Sequence, residues 1–167
     1  DLLHYNEINY DYKILGCPSI YLCNPIIVNK ISINNESNIL FNCPSISINS
    51  ETLGKQTQPN CKFIFELIED LSTDFLYQDS IHFLNSLKNK KNIIVPYNYE
   101  NWKDIIKKYD FVIGTRIHGA IMALICNIPT LLLVIDSRTY ELAELFKIPY
   151  INIIDKGIDL KNKSDII

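Results

Sequence analysis

Arg116 and His118 are the two side chains of this sequence best suited to chemistry, and one residue separates them. An arginine presents a planar fork of N–H groups that binds a carboxylate or phosphate through two hydrogen bonds. A histidine donates or accepts a proton near neutral pH. Gly114 and Gly119 flank the pair, and glycine permits tight turns and close approach of a ligand. This spacing indicates an anion site with an acid–base group, although a surface pair could equally serve as a capping and salt-bridge device.

The residues on either side of the pair predict a buried strand that turns into a helix. The run 111–113 is apolar, and apolar side chains then recur on one helical face at Ile117, Ile121, Leu124 and Ile125. In open α/β sheets, ligands bind at the carboxyl ends of the strands. A helix that starts there offers free N–H groups and the positive end of its dipole, both of which suit an anion.

Strand and helix patterns alternate along the rest of the chain, which predicts an α/β fold. We expect a Rossmann-like, doubly wound parallel sheet that is covered on both faces. Strands are predicted at 38–42, 75–77, 92–95, 110–113, 130–135 and 150–154, and helices near 64–71, 81–87, 102–109, 117–126 and 138–147.

Four groups of residues would meet at the carboxyl edge of such a sheet: 78–79, 96–97, 114–118 and 136–138. The side chains of the last two groups are the best suited to binding or catalysis. Asp136 or Ser137 is expected to cap the helix that follows. Arg138 would lie in the first turn of that helix, where a cation opposes the dipole unless an anion compensates. The placement of Arg138 is therefore a second indication of an anion.

Composition limits the class of protein. Of the 167 residues, 47% are hydrophobic and 21% charged, which is enough to bury a core. The net charge of −3, without a basic block, does not indicate a nucleic-acid partner. The five cysteines lack metal-type spacing, so we expect reduced thiols in a cytosolic protein and no metal site. No membrane span is expected.

The run GTRIHGAIMAL, followed by NIPTLLLVIDSRTYELAELFKIP, resembles the C-terminal signature of the polysaccharide pyruvyl transferase family. Gly16-Cys17-Pro18-Ser19 also resembles an element near the middle of such proteins, although a simple turn is the plainer interpretation. The resemblance implies one half of a GT-B-type transferase with two Rossmann-like domains. Residues 1–15 would be a linker or arm, 16–167 would form the C-terminal domain, and the N-terminal half would be its partner. A self-contained single domain is the alternative.

The resemblance also implies the reaction. A pyruvate ketal unit would pass from phosphoenolpyruvate to a sugar of a cell-surface polysaccharide or its precursor, in the cytoplasm or at the inner face of the membrane, without a cofactor. His118 would be the catalytic acid, and the donor-binding residues would be Gly114, Thr115, Arg116, Gly119 and Arg138.

Two other functions fit the same pattern of residues. The first is the donor-binding half of a GT-B-type glycosyltransferase, in which this edge of the sheet binds a sugar nucleotide. The second is a non-catalytic binding or interaction module. Phosphoenolpyruvate should compete for the site of a pyruvyl transferase, a nucleotide diphosphate for that of a glycosyltransferase, and neither should bind the non-catalytic module.

Overall fold

The computed structural model describes residues 15–23, 37–42, 74–78 and 93–153. The strands are β1 (Ile39–Asn42), β2 (Asp74–Leu76), β3 (Ile93–Ile94), β4 (Phe111–Gly114), β5 (Thr130–Val134) and β6 (Tyr150–Asn152). The α-helices within these ranges are α1 (Tyr99–Ile106), α2 (Ile117–Ile125) and α3 (Ser137–Phe146), and a short 3-10 helix spans Pro18–Leu22. No described helix combines the length and apolar character needed to cross a membrane.

The described strands form one parallel sheet in the order β3-β2-β1-β4-β5-β6. The predicted α/β, Rossmann-like fold is therefore confirmed. From β1 the sheet grows outwards through β2 and β3, whereas from β4 it grows the opposite way through β5 and β6. The strand order thus reverses between β1 and β4, which is where sheets of this order bind ligands.

Alternate side chains of the central strands bury both faces of the sheet. Leu40 and Val112 point to the face on which α1 and α2 pack. Phe41 and Ile113 point to the opposite face, where they are also almost fully buried. Leu132 and Val134 of β5 pack against α2 and α3. Burial on both faces explains why these strands are apolar throughout.

Most predicted element bounds are within two residues of the structure, and α1 is the largest correction. It spans Tyr99–Ile106 and not 102–109, because Asn98 caps its start by accepting a hydrogen bond from the backbone N–H of Asn101. Strand β3 is shorter than predicted because Val95 is already 40% exposed and Pro96 has no N–H for a ladder hydrogen bond. Helix α3 ends at Phe146 because Lys147 adopts the left-handed conformation with φ of 55°. Strand β6 ends at Asn152, and residue 154, the predicted end, lies outside the described residues. The helices predicted near 64–71 and 81–87 lie outside the described residues.

Candidate active site

Residues 114–118 lie at the turn between β4 and α2, as the sequence predicts. Gly114 ends β4 and pairs with Asn42, the last residue of β1, so the turn stands at the reversal of strand order. Arg116 is the N-cap of α2 and keeps an extended backbone, with φ of −97° and ψ of 116°. The chain therefore leaves the buried sheet at Thr115 and enters the helix at Ile117.

Asn42 is a buried amide that joins three elements beneath this turn. Its Nδ2 donates to the backbone carbonyl of Arg116 at 3.1 Å, and its Oδ1 accepts from Nε2 of Gln78, after β2, at 2.9 Å. Only 1% of Asn42 is exposed, so both hydrogen bonds are shielded from water. Asn42 was not among the site residues predicted from the sequence. The available signal was a single polar residue at the end of an apolar strand.

The two glycines that flank the arginine–histidine pair make room for Asn42. A Cβ on Gly119 would overlap the side-chain amide of Asn42, and a Cβ on Gly114 would overlap the backbone carbonyl of the same residue. Helix α2 therefore approaches β1 more closely than any side chain at these positions would allow. This packing explains both glycines, and their predicted contact with a substrate stays a prediction.

The start of α2 is open to an anion. Arg116 is the N-cap of the helix, but its side chain makes no capping hydrogen bond, since a guanidinium has no acceptor to offer the N–H groups of the first turn. Thr115 is 1% exposed, and its Oγ1 has no hydrogen-bond partner among the described residues. A buried hydroxyl without a partner is unfavourable. Thr115, Arg116 and the first N–H groups of the helix are thus consecutive donors along the turn.

His118 lies in the first turn of α2 with part of its side chain exposed. Its pKa is lowered, first because neighbouring atoms displace part of its water shell and then because Arg138 and Arg116 disfavour a second positive charge. Both predicted arginines therefore act on the imidazole. Desolvation and the two arginines thus favour the neutral form of the ring.

The Gly16–Ser19 segment lies against His118, which corrects its interpretation as a simple turn. Gly16 has φ of 70°, and a Cβ there would overlap the ring of Phe146 at the end of α3. The chain then enters the 3-10 helix at Pro18. Sγ of Cys17 lies 3.7 Å from Nε2 of His118 and 3.0 Å from Oγ of Ser19. Cys17 was not among the predicted site residues, although the sequence of its segment resembles an element of the family.

Asp136 caps α3, as one of the two predicted alternatives. Its carboxylate accepts from the backbone N–H of Thr139 at 2.7 Å, and Thr139 Oγ1 accepts from the backbone N–H of Asp136 at 3.4 Å. This capping box fixes the Asp136 carboxylate at the start of α3, two residues before Arg138. The carboxylate can compensate the unfavourable position of Arg138, so that position is weaker support for a bound anion than the sequence suggested.

Asp136→Ala is expected to lower the free energy of unfolding by about 1 kcal/mol, because the helix loses its N-cap acceptor. Urea denaturation would measure the change. Ser137→Ala, at the exposed first residue of the same helix, is the matched control and should stay near wild-type stability. Equal stabilities of the two variants would show that the capping box contributes nothing.

The described residues contain no group of three or more His, Cys, Asp or Glu side chains that could hold a metal ion.

The site, as described, is a set of hydrogen-bond donors and cations around one imidazole. This arrangement can bind an anion with more than one acidic group and can exchange a proton with it.

Comparison with known proteins adds one match. The model of the family described as polysaccharide pyruvyl transferase matches residues 1–137, which contain the whole strand-to-helix turn and the Gly16–Ser19 segment. The match ends one residue before Arg138. The chain finds no significant match among the curated proteins. Since the family model covers most of the sequence, this chain belongs to the polysaccharide pyruvyl transferase family.

Proposed function

We propose that this chain carries the donor site for transfer of a pyruvate unit from phosphoenolpyruvate to a pair of saccharide hydroxyls. The observation that carries the proposal is the strand-to-helix turn, which places Arg116 at the N-cap of α2 and His118 in the first turn of the same helix. Phosphoenolpyruvate carries a carboxylate and a phosphate. Two guanidinium groups and a helix start suit such a donor.

The proposed reaction balances without a cofactor. The methylene carbon of the donor gains a proton, and two acceptor oxygens form bonds to the adjacent carbon. The bond from that carbon to the phosphate oxygen breaks, and phosphate leaves. The product is a cyclic ketal. Of the two protons that the acceptor hydroxyls release, one replaces the proton given to the methylene carbon and the other goes to the leaving phosphate. Arg116 would bind the carboxylate or phosphate, and the helix start would stabilise the leaving phosphate.

His118 is the proposed acid for the first step. In the free chain its pKa is lowered by partial desolvation and by Arg138 and Arg116. A bound donor brings negative charges that offset both arginines, so the pKa of His118 should rise in the complex. The ring would then take up a proton on binding, and the resulting imidazolium can donate a proton to the methylene carbon. Donor binding itself would thus protonate the general acid.

Donor binding is therefore expected to weaken as pH rises. Between the pKa of His118 in the free chain and its higher pKa in the complex, one proton is taken up per donor bound. The dissociation constant should then rise about tenfold for each pH unit. Calorimetry in two buffers of different ionisation enthalpy would count the proton.

The phosphate of the donor titrates in the same range, so His118→Asn is the necessary control. Subtracting the His118→Asn result isolates the contribution of the imidazole. We expect this variant to bind the donor but to lack turnover in the full-length protein. A proton count that is the same in wild type and His118→Asn would contradict the proposed role.

Titration with phosphoenolpyruvate tests the donor assignment directly. Saturable chemical-shift changes centred on residues 114–119 would support it. A response to a nucleotide diphosphate without one to phosphoenolpyruvate would instead favour sugar-nucleotide chemistry. The acceptor groups are proposed to lie on the other domain of a GT-B-type pair, so binding of the donor is the sharper test of this chain.

A further inference from the structure

Cys17 lies against the imidazole that the proposed reaction uses as its acid. Its Sγ is 3.7 Å from Nε2 of His118, although 101 residues separate the two in sequence. On its other side the same sulfur is 3.0 Å from Oγ of Ser19. Ser19, Cys17 and His118 therefore form a continuous chain of polar contacts that ends on one specific nitrogen of the ring.

The segment that carries Cys17 is anchored on both sides of the thiol. Gly16 packs against the ring of Phe146 in a backbone conformation that other residues rarely adopt. After the 3-10 helix, Cys23 Sγ donates to the carbonyl of Ile121 in α2 at 3.8 Å. Ile20, between them, packs into the apolar cluster under α2 and α3. Because its flanks are held, the thiol has a defined position relative to His118.

Hydrogen-bonding chemistry gives this contact a direction. A thiol has one hydrogen to donate and is only a weak acceptor, whereas a neutral imidazole has one nitrogen that accepts strongly. Arg116 and Arg138 favour the neutral ring. Ser19 can donate its hydroxyl hydrogen to the sulfur, which leaves the thiol hydrogen for Nε2. The ring hydrogen must then be on Nδ1.

We propose that Cys17 is a positioning residue that holds His118 in the tautomer with hydrogen on Nδ1, so that Nδ1 delivers the proton to the bound donor. The delivery step rests on the proposed function, whereas the tautomer is a property of the free chain. On donor binding, Nε2 takes up a proton from solvent. The Nδ1 proton then passes to the methylene carbon, whose double-bond electrons form the new C–H bond. The ring is left with hydrogen on Nε2, and exchange with water restores the resting tautomer.

Nitrogen chemical shifts of the His118 ring test the tautomer directly. At a pH where the ring is neutral, wild type should show the shifts of a ring protonated at Nδ1. Cys17→Ala should move both shifts toward the Nε2–H tautomer, which free histidine prefers. Cys17→Ser should restore most of the wild-type pattern, because a hydroxyl also donates. Cys126→Ala removes a thiol at the C-terminal end of α2 that donates to the carbonyl of Lys103, and it should change nothing.

Two results would overturn the proposal. One is a wild-type ring with its hydrogen on Nε2, which would mean that the imidazole donates to the sulfur. The other is a tautomer that does not respond to Cys17→Ala. Neither result depends on phosphoenolpyruvate, so a chain that fails to bind it would refute the proposed function without deciding the tautomer.

Turnover of the full-length protein gives the second readout. Cys17→Ala should lower kcat by about tenfold, a part of what a positioned acid contributes, with KM for the donor nearly unchanged. Cys17→Ser should recover most of kcat. A loss that appears in KM alone, or that serine does not rescue, would refute a role through His118 and indicate a merely structural thiol.

Discussion

Gly119→Ala is expected to lower the free energy of unfolding by about 2–4 kcal/mol and to abolish donor binding. The added methyl group would overlap the side-chain amide of Asn42. Asn42 is 1% exposed and is held by Gln78 and by the carbonyl of Arg116, so it has little freedom to move away. Either α2 shifts away from β1, or the buried amide loses its hydrogen bonds. Both outcomes displace Arg116 and His118.

The expected loss of stability is opposite in sign to the usual effect of this substitution. Within a helix, replacement of glycine by alanine ordinarily stabilises by about 1 kcal/mol, because alanine has the higher helix propensity. Urea denaturation of Gly119→Ala, Asn42→Ala and the double variant would form a cycle. The double variant should be more stable than the sum of the two single effects predicts, because removing the amide makes room for the methyl group. A Gly119→Ala protein of unchanged or higher stability would contradict the tight approach of α2 to β1.

Arg116→Ala is expected to raise the dissociation constant for phosphoenolpyruvate by about 10–150-fold, the equivalent of one or two charge-assisted hydrogen bonds. The fold should persist, because the group of Arg116 that Asn42 binds is the backbone carbonyl, which alanine retains. Isothermal titration of the folded variant would measure the loss.

Two further variants separate charge from geometry. Arg116→Lys keeps the charge but not the planar fork, so its affinity should fall between those of wild type and Arg116→Ala. Arg138→Ala removes an exposed cation that also acts on His118, and it should weaken binding much less. An unchanged dissociation constant in Arg116→Ala would remove Arg116 from the donor site.

Local sequence patterns were sufficient to predict the strands and α-helices that the structure describes. Apolar runs such as 111–113 predicted strands because both faces of the sheet are buried. Helical spacing from Ile117 onwards predicted α2 because the apolar side chains on one face of that helix are buried. The ends of the elements were less predictable, because they depend on single backbone conformations such as the left-handed Lys147.

The contacts that assemble the site were not predictable from the sequence. In the sequence, Asn42 is one polar residue at the end of an apolar strand. Its hydrogen bond to the start of α2 depends on how closely Gly114 and Gly119 let that helix approach β1. Cys17 and His118 are brought together only by the packing of the Gly16–Ser19 segment on α2 and α3. Such contacts join residues far apart in the chain, so no local pattern records them.

Asn42 also determines when the site can exist during folding. Strands β4, β5 and β6 and the helices between them come from one continuous stretch, 111–152, and can pair through short connections. Strand β1 must insert between β2 and β4, and the partners of its Asn42 are 36 and 74 residues away. Long-range pairings of this kind are slow to form. Arg116 therefore acquires its support only when the central strand closes the sheet, and a partly folded chain that lacks β1 would retain α2 without the Asn42 contact that holds the candidate site.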